Sequence, residues 1–187
     1  MRIISGNLKG KPILFLKSST TRPLKDSVRE NIFNILAHSK ILDISLQKSN
    51  VLDLYSGIGS FGLECISRGA TKVTFVEKNN EVIRILNKNL SNLLIEDRTI
   101  VIKDKIFNFL NKEMKSKYKI IFFDPPFADN DYIEALKLIH KKKFYKNNHV
   151  IIIHRERKSI ENFDDVIKPL IVKEYGRSKI IFAKFLN

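Results

Sequence analysis

Asn50-Val51-Leu52-Asp53-Leu54-Tyr55-Ser56-Gly57-Ile58-Gly59-Ser60-Phe61-Gly62 reads as a buried strand, a glycine turn and the opening of a helix. Residues 51–55 have the length and apolar content of a strand. The glycines fall in a G-x-G-x-x-G spacing, which permits a tight turn and a close approach of backbone to a ligand. Helical spacing continues to about Arg68, and Gly69 supplies a C-cap.

Outward from this unit the same alternation recurs. Lys72 to Glu77 is a second strand, Asn79 to Leu94 a helix with Val82, Ile83, Leu86, Leu90 and Leu93 on one face, and Thr99 to Lys103 a third strand followed by a short helix through Phe107 and Leu110. Ile120 to Phe123 is a fourth strand, Asp131 to Lys143 a helix and Val150 to His154 a fifth strand. Near-continuous apolar strands alternating with amphipathic helices specify a parallel sheet covered on both faces. The rhythm then changes. Leu170 to Tyr175 and Lys179 to Phe185 flank Gly176-Arg177-Ser178 and form an antiparallel hairpin at the sheet's end. Ahead of the first strand, residues 1–17 alternate apolar pieces with Gly6, Gly10 and Pro12 as a β-hairpin or two short strands, and Leu24 to Leu36 carries the spacing of a helix. The expected division is an N-terminal hairpin-and-helix extension over residues 1–40 and a main domain over 41–187.

Composition narrows the function. At 187 residues the chain supports one sizeable core, and 43% hydrophobic with 29% charged residues is a globular balance. With no apolar run of membrane-span length and no signal-like N-terminus, a cytoplasmic monomer without membrane contact is expected. The single Cys65 excludes an internal disulfide and a multi-cysteine zinc site, and the four histidines do not cluster at ligand spacing, so no metal is expected. A net charge of +14 points to a polyanionic partner. Residues 1–49 carry nine Lys and Arg against three Asp and Glu, hence +6. Arg2, Lys9, Lys11, Arg22, Lys25 and Arg29 are the candidates to grip such a partner.

Two features carry chemistry. The fourth strand ends in Asp124-Pro125-Pro126-Phe127, which sets a carboxylate and a flat hydrophobe at its mouth. Each proline holds φ near −65° and lacks an N–H, so acceptors in this turn are held at fixed angles. The glycine turn is the other. Glu77 ends the second strand where an acid can bind both hydroxyls of a ribose. Asp53, just before the turn, would repel a pyrophosphate but can interact with the ammonium group of S-adenosylmethionine, and Asp104 is placed to accept from an adenine amine. The methyl donor is therefore favoured over NAD.

The stretch from Asp53 to Glu64 together with Asp124-Pro125-Pro126-Phe127 resembles the S-adenosylmethionine-dependent amino-methyltransferases. Arg2-Ile3-Ile4-Ser5-Gly6, Arg22-Pro23, Val28-Arg29-Glu30, Phe33-Asn34 and Ser67-Arg68-Gly69-Ala70 are similar to the bacterial RsmD family, over nearly the whole chain. The resemblance implies a Rossmann-like methyltransferase fold with a mostly parallel seven-stranded sheet. It also implies methylation of the exocyclic N2 of one guanine in small-subunit ribosomal RNA, naked or in an assembled particle. Asp124, Pro125, Pro126 and Phe127 are then catalytic, and Asp53, Tyr55, Gly57, Gly59, Glu77, Lys78 and Asp104 bind the cofactor. In the family pattern Leu24 stands in place of a threonine, and His154-Arg155 in place of an acid near the fifth strand's end, so no role is carried onto these positions. The rival readings are a DNA adenine or cytosine amino-methyltransferase and a catalytically silent RNA-binding assembly factor.

Overall fold

The computed structural model describes residues 1–15, 24–112, 116–163 and 165–186. Helix α1 (Asp26–His38) precedes β1 (Asn50–Leu54), α2 (Ser60–Ser67), β2 (Lys72–Glu77) and α3 (Asn80–Leu93). A 3-10 turn (Glu96–Arg98) leads into β3 (Thr99–Lys103), α4 (Ile106–Asn111), β4 (Tyr118–Phe123), α5 (Tyr132–Lys142), β5 (Tyr145–Glu156), β6 (Ile167–Tyr175) and β7 (Ser178–Phe185). The seven strands form one sheet in the order β3-β2-β1-β4-β5-β7-β6. The first five pair in parallel, and β7 runs antiparallel between β5 and β6. The order reverses at β1, which puts the crevice above the carboxyl ends of β1 and β4, where such sheets bind ligands.

Side chains alternate between two cores, as a pleated strand requires. On one face Val51, Ile120, Phe122, Val150 and Ile152 meet α1, α2, α3 and the N-terminal segment. On the other, Leu52, Leu54, Ile121, Phe123, Ile151 and Ile153 meet α4 and α5. The first face is stitched by three stacked rings: Phe61 of α2 lies 4.0 Å from Phe122 of β4 and 5.2 Å from Phe33 of α1, centroid to centroid.

From residue 24 onward the helices and strands that the apolar spacing predicts are present. Three details depart from it. Over its described residues, 1–15, the N-terminal segment is a looped ribbon with a single bridge, Arg2 to Pro12, rather than a β-hairpin or two short strands, and residues 16 and 17 of that reading lie outside the described residues. Its backbone groups find partners outside itself: the N–H groups of Ile4 and Ser5 donate to the Glu64 carboxylate (2.8 and 2.9 Å), and Asn7 N–H donates to Ser67 O (2.8 Å). Strand β5 begins at Tyr145, five residues earlier than the apolar run, with an irregularity opposite Tyr118 and Ile120 of β4. Polar Lys146, Asn147 and Asn148 lie here, with His149 Nδ1 against Lys146 O (2.8 Å) and Asn147 O (3.3 Å) while its Nε2 accepts from Phe185 N–H (3.0 Å). Strand β6 begins at Ile167 and contains Pro169, tolerated because β6 is an edge strand and its register shifts there.

Candidate active site

Two groups of residues face each other across the crevice. The first is built on β1, β2 and the turn between β1 and α2. Tyr55 leaves β1 with φ +58°, an uncommon conformation for a large side chain, and burial, with the nearby charge of Asp129, pushes its hydroxyl pKa up. Gly57 (φ +55°) and Gly59 (φ +83°) complete the turn. A Cβ on Gly59 would lie 2.5 Å from Leu86, so packing forbids one, whereas a Cβ on Gly57 would meet nothing within 4 Å and opens onto the crevice. Gly62 packs on β2 with no room for a side chain, since a Cβ would lie 2.3 Å from the Phe75 ring.

Asp53 is 1% exposed. Its Oδ2 accepts from Gly62 N–H (3.0 Å), while its Oδ1 and the nearby Ser56 Oγ are buried without a partner among the described residues. Burial pushes the Asp53 carboxyl well above the usual carboxylate range, opposed by the Gly62 N–H and reinforced by Asp124 and Glu77. A buried carboxylate oxygen with no donor is costly in isolation and suits a cationic ligand.

Glu77 is bound into its own backbone. Oε2 accepts from Gly57 N–H (3.0 Å), and Oε1 accepts from the N–H groups of Lys78 and Asn79 (2.8 Å each). One carboxylate thus ties the glycine turn to the head of α3, which Asn79 caps. Lys78 is exposed beside it. Asp104 is committed to the start of α4, its Oδ1 accepting from Lys105 N–H (2.9 Å) and Asn108 Nδ2 (3.0 Å) and its Oδ2 from Lys112 Nζ (2.7 Å). Those bonds, Lys112 foremost, hold its pKa below the ordinary value. An adenine amine at Asp104 would therefore share an acceptor already in use.

The second group lies at the ends of β4 and β5. Asp124 is half-buried, Pro125 is buried, and Pro126 and Phe127 are exposed. The turn is held by Arg155, 2% exposed, which donates to Pro126 O (3.1 Å) and Phe127 O (2.9 Å) and lies 4.5 Å over the Tyr132 ring. Among the described residues nothing donates to Pro125 O. Asp124 Oδ1 is 2.7 Å from His154 Nδ1, and its Oδ2 has no bond among the described residues. His154, onto which the sequence carried no role, in fact adjoins the expected catalytic acid, with its ring edge-on to Phe127. An unbonded carboxylate oxygen and an unbonded carbonyl beside an exposed aromatic ring can together take the two N–H groups of a planar amine.

The family model described as conserved hypothetical protein 95 matches residues 1–184. The chain belongs to this family, the RsmD family. Two relatives called ribosomal RNA small subunit methyltransferase D are 33% identical: one from Buchnera aphidicola, matched over 100% of this chain and 92% of its own length, and one from Haemophilus influenzae, matched over 93% and 83%. A solved Escherichia coli protein with a provisional methyltransferase name superposes with a TM-score of 0.83 at 25% identity, covering 99% of this chain and 97% of that one. The fold is accordingly the Rossmann-like fold of methyltransferases.

Within this RsmD-family chain the expected RNA contacts divide. Arg2, Lys9, Lys11 and Lys25 are exposed, and Arg2 and Lys9 line a shallow depression that also holds Asp26 and Glu30. Arg22 lies outside the described residues. Arg29 is a correction: it is fully buried, donates to Arg2 O (2.6 Å) and Asp26 Oδ1 (3.0 Å), and lies 3.9 Å from the buried Glu64. It cannot reach RNA and instead orients the segment that carries Arg2. Glu64, absent from the expected site, is the hub of that arrangement and also accepts from Arg68 Nε (2.8 Å). Among the described residues no group of His, Cys, Asp and Glu could hold a metal ion, and no helix is long and apolar enough to cross a membrane.

Proposed function

We propose that the protein transfers a methyl group from S-adenosylmethionine to the exocyclic N2 amine of a guanine in small-subunit ribosomal RNA. The observation that carries this reading is the pairing of two open sites across one crevice: the partnerless Asp53 Oδ1 and Ser56 Oγ on one side, and the free acceptors of Asp124 and Pro125 on the other. The names of the relatives support ribosomal RNA as the substrate class.

When bound, S-adenosylmethionine supplies an electrophilic methyl on a cationic sulfur. Asp53 and Ser56 would take its ammonium group, Gly57 its close backbone contact and Glu77 its ribose hydroxyls. The guanine amine is a weak nucleophile because its lone pair is delocalised into the ring. Asp124 and Pro125 O accept its two N–H groups and so aim that lone pair at the methyl carbon. Orientation of this kind supplies roughly 7–11 kcal/mol of barrier reduction. Asp124 also stabilises the positive charge that develops on nitrogen as the N–C bond forms and sulfur keeps the pair from the broken S–C bond. The amine proton then leaves by way of Asp124 to solvent. Phe127 stacks on the base, worth about 1–3 kcal/mol.

Labelled S-adenosylmethionine, offered with stripped small subunits, naked small-subunit RNA and duplex DNA, tests this. Label in RNA, mapped to guanine N2 by mass spectrometry, is expected. Transfer to DNA alone overturns the substrate, and absence of S-adenosylmethionine binding by calorimetry overturns the activity.

A further inference from the structure

The end of β5 contributes a residue that the acid-Pro-Pro-Phe turn does not explain. Phe123 of β4 is paired with Ile153 of β5, so the next positions, Asp124 and His154, lie side by side. Both continue the face that carries Phe122 and Ile152. On the far side of β5, Glu156 pairs with Ser178 of β7, which sets Ser178 diagonal to His154 on the same face. The pleat therefore lines up a carboxylate, an imidazole and a hydroxyl across three strands. They touch: Asp124 Oδ1 to His154 Nδ1 is 2.7 Å, and His154 Nε2 to Ser178 Oγ is 2.9 Å.

We infer that His154 is a positioning residue for methyl transfer, acting through Asp124, with Ser178 fixing its ring; this rests on the activity proposed above. A carboxylate rotates broadly about its last torsion, so Asp124 alone could present either oxygen at many angles to the crevice. An ionised Asp124 only accepts, so His154 Nδ1 carries the hydrogen between them. That bond engages Oδ1 and leaves Oδ2 for the amine. His154 is 7% exposed, and its ring stands at 78° to Phe127 with centroids 5.4 Å apart, so the residue that fixes the acceptor also backs the base-stacking ring. The neighbouring charges do not compete for it. Arg155 points to the other face and holds the Pro126 and Phe127 carbonyls, Arg177 pairs with Glu156 (3.6 Å), and Lys179 donates to Ser159 O.

The test separates positioning from simple packing. His154→Phe keeps an aromatic ring but removes the donor, and is expected to lower kcat about 10- to 100-fold with the Kd for S-adenosylmethionine and the KM for RNA within about twofold of wild type. His154→Asn places an N–H near the Nδ1 position and is expected to restore kcat to within about threefold. Ser178→Ala, which is mild enough to fold whatever becomes of the phenylalanine variant, is expected to cost about threefold in kcat. In the Asp124→Ala background, His154→Phe is expected to cost nothing further, since the two act as a unit. Full kcat in His154→Phe, equal loss in the Asn and Phe variants, or additive loss with Asp124→Ala each overturns the inference. A wild type that methylates no nucleic acid overturns the activity, and this role with it.

Discussion

The two sides of the crevice are built in opposite ways. Apart from Asp104, the side assigned to the methyl donor comes from one stretch of chain, residues 53–79, and the carboxylates of that stretch are held by backbone: Gly62 N–H on Asp53, and the N–H groups of Gly57, Lys78 and Asn79 on Glu77. The side assigned to the amine is a four-residue turn held by side chains of the neighbouring strand β5, about thirty residues on in sequence, His154 on Asp124 and Arg155 on the carbonyls of Pro126 and Phe127. Backbone donors survive any point mutation except one to proline, whereas side-chain props do not. The donor side should therefore fail in binding, and the acceptor side in rate.

Four substitutions probe that contrast. Asp124→Ala should lower kcat by about 10²- to 10³-fold, the scale for losing a charge-stabilising group at a reacting centre, while calorimetry finds S-adenosylmethionine binding unchanged. A parallel loss of binding would erase the distinction between the sides. Glu77→Ala should do the reverse, weakening S-adenosylmethionine by about 100-fold, because charge-assisted bonds to three backbone N–H groups and the ribose acceptor go together.

Asp53→Asn should weaken binding about 10-fold and yet stabilise the empty protein at neutral pH. Burial raises the folded pKa of Asp53 above its unfolded value of about 3.9, so the folded state binds the proton more tightly. Stability from this group is present below the unfolded value and is lost as pH rises through the folded one. The asparagine removes that slope, which thermal melting from pH 5 to pH 8 reads directly; equal slopes in both proteins would refute the assignment. Smallest, Phe127→Ala should raise the KM for RNA about 5-fold with little change in S-adenosylmethionine binding, as loss of one stacking ring of about 1 kcal/mol predicts.

How much was legible follows the same contrast. The strand, glycine turn and acid of the donor side are neighbours in sequence, and their spacing carries the geometry. The turn from Asp124 to Phe127 was legible for a similar reason, since two prolines restrict their own backbone. Arg29 was misread because a charge on a helix gives no sign of which face it occupies; its helix turns it inward, where burial lowers its pKa and Asp26 and Glu64 raise it again. His154 and Arg155 were left without roles because they stand where the family pattern has an acid, and nothing local in the sequence says what lies alongside. The early start of β5 was hidden too, because Lys146, Asn147 and Asn148 look like loop in sequence, and only the fold brings His149 Nδ1 against the carbonyls of Lys146 and Asn147.

By itself, then, the sequence determined the sheet, its helices and the two chemical turns, because these depend on hydrophobic period and on the φ restrictions of glycine and proline, which act within a few residues. Tertiary structure alone decided which side chains stand beside those turns. Asp124, His154 and Ser178 come from three strands, and only the register of β4 on β5 and of β5 on β7 brings them into one row. Register is fixed by the burial of whole faces, a property of the assembled core rather than of any single segment.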